Sequence, residues 1–168
     1  MPACQIVDIS FLDTAAEKVV NIVEVKATPE EIFSVFEDEN AWPEWFDGID
    51  KVTWTSEKPY GVDATRTLKL GPMTVWEHFF IWEQNNRFAF YFSKTSLPFV
   101  KALLEVYELE VLDENTTRFT YTVAYTPRLM LALSGPLGKF ALRRNFGKAA
   151  KAFVLYMEKK NAAATNNS

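Results

Sequence analysis

The chain contains one cysteine, one histidine and six glycines, and no uninterrupted apolar run approaching the ~18 residues needed to cross a bilayer. Each scarcity excludes a class of chemistry. Cys4 alone cannot close an internal disulfide. Cys4 and His78 together cannot supply the usual zinc ligand sets, and no His/carboxylate spacing suggests non-haem iron. The glycines form neither a phosphate-cradling loop nor a Gly-x-Gly-x-x-Gly fingerprint, so nucleotide cofactors find no support. A Ser-His-Asp triad would have to use His78, and no Gly-x-Ser-x-Gly elbow accompanies it. No metal and no cofactor is therefore expected. Positive charge is also short: 18 Lys and Arg against 22 Asp and Glu leave a net charge of −4 and a pI near 5.1. Phosphate contacts need a basic footprint, which argues against general binding to nucleic acid. Residues 1–10 lack the basic start and apolar run of a signal peptide, so a reducing, cytoplasmic location is the expectation.

Aromatic residues, by contrast, are abundant: fourteen Phe, six Tyr and five Trp in 168 residues. A chain of this length makes one domain and buries about 70% of its unfolded surface. Large, stiff rings in excess of simple packing needs suit the wall of a cavity.

The richest local signal lies in residues 17–46. Val19, Ile22, Val23 and Val25 stand in a segment of alternating character, which predicts a half-buried strand over 17–27. Thr28-Pro29-Glu30-Glu31 then opens a helix. Thr28 can accept from the amide of Glu31 while Glu31 reaches back, and Pro29 fits a position whose N–H would be unpaired anyway. Ile32, Phe33 and Phe36 give that helix one apolar face. A second short element follows at Trp42-Pro43-Glu44-Trp45, whose tryptophans read as packing anchors.

This order resembles the START/SRPBCC superfamily of helix-grip folds, and within it the polyketide cyclase/dehydrase and lipid-transport branch. The resemblance spans roughly residues 17–160, through Trp82-Glu83 and Arg87-Phe88, which look like that family's hairpin, to a long C-terminal helix. It implies an α+β domain over residues 1–160. A curved antiparallel sheet of about seven strands would wrap around that helix, with two short helices after the first strand and a disordered tail at 161–168. It also implies a pocket for a hydrophobic small molecule such as a lipid, sterol or aromatic polyketide. The superfamily's oxygenases depend on metal ligands that this chain lacks, so that activity is not carried over.

Segments 49–56, 64–70, 73–83, 87–94, 101–112 and 116–126 are rich in β-branched and aromatic residues and are separated by short turn sequences. They predict hairpins of one antiparallel sheet. The final helix is expected over 137–160. Leu142, Phe146, Ala149 and Phe153 lie on one side, and Arg143, Arg144, Lys148 and Lys151 on the other.

Pairing arithmetic assigns the inward face. A three-residue turn at Asp113-Glu114-Asn115 sets Glu110 opposite Arg118, Tyr107 opposite Tyr121 and Glu105 opposite Val123, leaving Glu105 as a carboxylate on an apolar surface. A similar turn at Gln84-Asn85-Asn86 pairs Glu83 with Arg87, Trp82 with Phe88, Phe80 with Phe90 and His78 with Phe92. Trp76, His78 and Phe80 then share the inner face with Phe90 and Phe92. A two-residue turn would instead bring in Glu77, Phe79 and Ile81, since a slip of one residue exchanges the faces. Arg66 can meet Glu77 on either face.

Three functions compete. Carriage or sensing of a hydrophobic ligand would use a cavity lined by Trp76, His78, Phe80, Phe90, Phe92, Glu105, Tyr107, Tyr121, Phe146 and Phe153. A cyclase or dehydratase would use Glu105 and His78 as the acid-base pair, with burial raising the pKa of the Glu and lowering that of the His. An interaction module would use the outer sheet or helix surface. Against these, His78 can be a hydrogen-bonded structural residue and Glu105 can bond a main-chain amide or water. Residues 128–137, with Leu129-Met130-Leu131-Ala132-Leu133, form a candidate edge for transient membrane contact beside the basic helix face.

Overall fold

The computed structural model describes residues 1–166. A short helix, α1 (Phe11–Thr14), precedes strand β1 (Glu17–Val25), and α2 (Pro29–Glu37) and α3 (Trp42–Trp45) follow it. Six strands come next: β2 (Lys51–Trp54), β3 (Thr65–Leu70), β4 (Met73–Glu83), β5 (Arg87–Thr95), β6 (Val100–Asp113) and β7 (Thr116–Pro127). The chain closes with α4 (Leu129–Ala132) and the long α5 (Gly135–Asn166). The described residues form one antiparallel sheet in the order β1-β7-β6-β5-β4-β3-β2, the curved sheet of a helix-grip fold, with α5 along its inner face. Helix α5 runs on beyond the expected end at 160. Residues 161–166, expected as a disordered tail, are helical, and Asn161 Nδ2 donates to the carbonyl of Lys26 at 2.7 Å. Residues 167 and 168 lie outside the described residues.

Local chemistry explains how α2 and α3 are placed. Thr28 Oγ1 accepts from the Glu31 amide at 3.3 Å and Glu31 Oε2 accepts from the Thr28 amide at 2.8 Å, closing the capping box, with Pro29 in the first turn. The helix buries Ile32, Phe33, Val35 and Phe36. Phe36 stacks on Phe153 of α5 at 5.0 Å and meets Tyr107 and Phe119 edge-on or tilted at 5.3 Å. Trp42 and Trp45 of α3 pack 4.9 Å apart, and the Trp42 indole donates to the Phe36 carbonyl at 3.0 Å. Rings from α2 and α3 thus fill one end of the space between sheet and helix.

The β6–β7 register matches the expected pairing, with Glu110 opposite Arg118, Tyr107 opposite Tyr121 and Glu105 opposite Val123. The β4–β5 register departs from it at two bulges. Glu83 faces Arg87 and Trp82 faces Phe88, as the three-residue turn requires, and Asn85 takes φ 61° within that turn. The next partners are Ile81 with Ala89 and Phe79 with Phe90, leaving Phe80 as an extra residue. Such a bulge reverses the face of everything upstream. A second irregularity between Trp76 and Glu77 adds Ser93 on β5. Val75, Glu77 and Phe79 therefore point inward and are buried, whereas Trp76, His78 and Phe80 lie on the outer face.

That outer face is partly covered. Val7, Phe11, Leu12 and Ala15 pack against Ala89, Leu104, Val106 and Ala124, with Phe80 and Ile81 at the border of this second apolar cluster.

Candidate functional site

Beyond the ring-filled end, the sheet and α5 diverge around a cavity of about 350 Å³. Its deep end is formed by buried side chains: Trp42, Arg66, Glu77, Phe90, Glu105 and Tyr107. Its rim carries the partly exposed residues, namely Asp47 and Gly48 after α3, Leu70, Gly71 and Met73 at the β3–β4 turn, Phe99 before β6, and Leu142 and Asn145 on α5. The wall is largely apolar and the polar groups converge at one point, the usual design of a small-molecule site.

That convergence follows from the register. Arg66 on β3 faces Glu77 on β4, and the bulges turn both into the interior, where each is 1% exposed. Arg66 Nε donates to Glu77 Oε2 at 2.5 Å. The guanidinium lies 4.2 Å from the Trp42 ring and 5.1 and 5.2 Å from those of Phe79 and Phe90, which supplies cation–π attraction in place of lost hydration. Its two terminal nitrogens, both buried, have no hydrogen-bond partner among the described residues. A buried donor left unpaired costs roughly 1–3 kcal/mol, and more when charged.

Glu105 enters from β6 and is 6% exposed. The Tyr107 hydroxyl donates to Glu105 Oε2 at 3.1 Å, and the Tyr121 hydroxyl stands close by without completing a hydrogen bond of good geometry. Burial, reinforced by the negative Glu77, pushes the Glu105 carboxyl up to about 8, against the opposing pull of the tyrosine hydroxyls and Arg66. Burial also raises Glu77, which Arg66 pulls back toward ionisation. With its carboxyl near 8, Glu105 is mostly protonated at neutral pH, beside an Arg66–Glu77 contact in which burial and the guanidinium act on Glu77 in opposite directions. A protonated carboxyl is a hydrogen-bond donor. Arg66 and Glu105 can therefore both donate toward one acceptor oxygen, and Glu105 can exchange a proton near neutral pH.

Of the ten residues expected at the site, Phe90, Phe92, Glu105, Tyr107 and Phe146 line the cavity. Tyr121 lies one shell behind it, 4.7 Å from Tyr107 and 6.0 Å from Phe146, and Phe153 belongs to the packed core under Phe36 and Trp45. Trp76, His78 and Phe80 are on the opposite face of the sheet, turned outward by the Phe80 bulge. Trp76 lies under Lys94 at 4.4 Å. His78 Nε2 is 2.9 Å from Asp63 Oδ1 and the ring stacks on Tyr91 at 5.2 Å. The expected His78–Glu105 pair across one cavity is therefore not formed. Arg66, Glu77 and Trp42 were not among the expected lining residues. The expectation that Arg66 can meet Glu77 is the one sequence signal pointing to that pair, and Trp42 reads from the sequence only as a packing anchor. Among the described residues no three His, Cys, Asp or Glu side chains converge as a metal site would require.

Comparison with known proteins agrees with this architecture. The family model for polyketide cyclase/dehydrase and lipid transport matches residues 16–158. The chain belongs to that family. An uncharacterized protein of Mycobacterium tuberculosis is 38% identical over 149 residues, which cover 86% of this chain and 89% of the relative, and one of Mycobacterium bovis matches equally. Among solved structures, the Zhui aromatase/cyclase of a Streptomyces species superposes with a TM-score of 0.74 at 16% identity, covering 88% of this chain and 97% of that one. A START superfamily protein from Mycobacterium smegmatis gives 0.65 at 15% identity over 85% and 95% of the two chains. At these identities the structural likeness establishes the helix-grip fold of this family member and nothing finer.

Proposed function

We propose that this family member binds a hydrophobic small molecule in the cavity, with an oxygen acceptor of the ligand seated against Arg66 and Glu105. The observation that carries the reading is the pair of unpartnered Arg66 nitrogens at the deep end of an otherwise apolar pocket. A carbonyl, phenol or carboxylate oxygen supplies the partner they lack, while the rest of the molecule lies against Phe90, Phe92, Leu103 and Phe146. A volume of about 350 Å³ is near the low end of the roughly 300–1,000 Å³ typical of such sites. It suits a compact ring system or a single chain better than a two-chain lipid.

The enzyme reading is favoured by the burial of Glu105 in the cavity wall beside Arg66, an environment that pushes its carboxyl up to about 8. Proton removal next to a carbonyl needs a base of that strength and a group polarising the carbonyl oxygen. Glu105 and Arg66 would fill those roles, with no part for His78. Binding is the broader reading because it needs no second proton carrier.

The test is fluorescence titration with N-phenyl-1-naphthylamine, followed by displacement with a series of aromatic ketones and their deoxygenated analogues. Ketones should displace the dye at least about tenfold better, a difference of about 1.4 kcal/mol. Equal displacement by both series would remove the polar anchor, and failure of the dye to bind would remove the cavity reading itself. Native mass spectrometry of the protein from its own source would then identify the compound it carries.

A further inference from the structure

One surface has no place in the cavity reading. Leu129, Leu133, Leu137 and Phe140 are 72%, 77%, 81% and 64% exposed at the corner where α4 meets α5. Isolated exposed leucines are ordinary, but four large apolar side chains within twelve residues form a patch. Along α5 the outward side that begins with Leu137 and Phe140 continues through Arg144, Lys148 and Lys151, all exposed. Residues 128–157 contain six Lys or Arg and no Asp or Glu, in a chain whose net charge is −4. Lys139 and Arg143 reach back to Glu17, whereas Arg144, Lys148 and Lys151 make no ion pair among the described residues.

We propose that the α4–α5 corner docks this protein on an anionic lipid bilayer, with Leu129, Leu133, Leu137 and Phe140 entering the headgroup region and Arg144, Lys148 and Lys151 meeting the acidic headgroups. An apolar prow followed by an unneutralised basic face is the combination that binds a charged interface. A second copy fits worse, because two-fold pairing through this face brings like charges together. Nucleic acid would leave the leucines in water. The location adds a use, since the same turns of α5 that expose Leu137 and Phe140 present Leu142, Asn145 and Phe146 to the cavity. A docked molecule would hold its cavity beside the phase in which hydrophobic compounds dissolve.

The test is co-sedimentation of the full chain with vesicles of phosphatidylcholine alone and of phosphatidylcholine mixed with phosphatidylglycerol, at low and high salt. Binding should require phosphatidylglycerol and fall at high salt. The variant Leu137→Ser/Phe140→Ser should weaken it about tenfold or more, and Arg144→Glu/Lys148→Glu should weaken it by about fivefold per charge or more. The charge variant alters only exposed side chains and decides the question if the apolar variant folds poorly. Binding equal on neutral vesicles, no binding to acidic ones, or unchanged binding by the charge variant would overturn the proposal. So would a dimer in solution that the Leu137→Ser/Phe140→Ser change dissociates. Uptake of N-phenyl-1-naphthylamine without vesicles separates the two readings: variants that lose vesicles but keep the dye leave the cavity reading intact.

Discussion

Arg66 and Glu77 face each other on adjacent strands, both 1% exposed, with Nε 2.5 Å from Oε2. The pair is buried on the cavity side of the sheet, where a charge survives only with compensation. Removing one member leaves the other uncompensated, at a typical cost of about 3–5 kcal/mol, whereas replacing both by apolar groups is often neutral.

The variant Arg66→Met should therefore lower the melting temperature by roughly 6–20 °C, at about 2–4 °C per kcal/mol for a domain of this size. Arg66→Met/Glu77→Leu should recover most of that loss. If the double variant regains stability yet still fails to discriminate ketones from their deoxygenated analogues, the pair serves ligand recognition and not folding. Thermal denaturation and dye displacement on the same samples supply both readouts.

Glu105 makes stability depend on pH in an unusual direction. Its carboxyl titrates at about 8 in the folded protein and near 4.3 in an unfolded chain. Between those values the folded state holds a proton that the unfolded state has released, so stability falls as pH rises across that window and levels off above it. The variant Glu105→Gln keeps the shape and removes the ionisation. It should flatten the fall in melting temperature between pH 5 and pH 8 and be the more stable protein at pH 8 by about 5 °C or more. A parallel slope in both proteins would show that Glu105 is ionised at neutral pH.

Leu142 stands at the rim of the cavity and is partly exposed, so a larger side chain there has room on the solvent side. Leu142→Trp should cut dye affinity at least about tenfold while changing the melting temperature by only a few degrees. Phe153→Ala should behave in the opposite way. Deleting that fully buried ring costs about 3–5 kcal/mol, and calorimetry should show the loss at every ligand concentration.

His78 lies on the outer face against Asp63 and Tyr91. His78→Ala should leave dye affinity within about twofold of the parent. A loss of affinity of about tenfold or more would place His78 back in the site.

The contrast between Glu105 and His78 shows how much of this fold the sequence carries. In the β6–β7 hairpin Asp113 pairs with Thr116 around a two-residue turn, not the expected three-residue one. An irregularity at Leu112 restores the count, and the unbroken ladder from Val111 back to Ala102 places Glu105 inward as expected. The β4–β5 turn was equally legible through Glu83 and Arg87, but Phe80 and Ser93 break the count, and nothing in their chemistry marks them as extra residues. The capping box at Thr28 is local and readable for that reason. Arg66 depended on a strand face that no turn fixed. The abundance of rings was also ambiguous, since Phe36, Phe119 and Phe153 fill space whereas Phe90, Phe92 and Phe146 border it, and only the tertiary arrangement separates the two.

The cover over the outer face of the sheet bears on where this protein can be cut. The family match begins at residue 16, yet Val7, Phe11, Leu12 and Ala15 shield Ala89, Leu104, Val106 and Ala124, and the amide of Cys4 is bonded to Ser93. A gene trimmed to the recognised family boundary would produce a sheet with a bare apolar stripe down its back, prone to stick to its neighbours. The smallest piece that behaves in solution is therefore longer than the smallest piece that can be recognised.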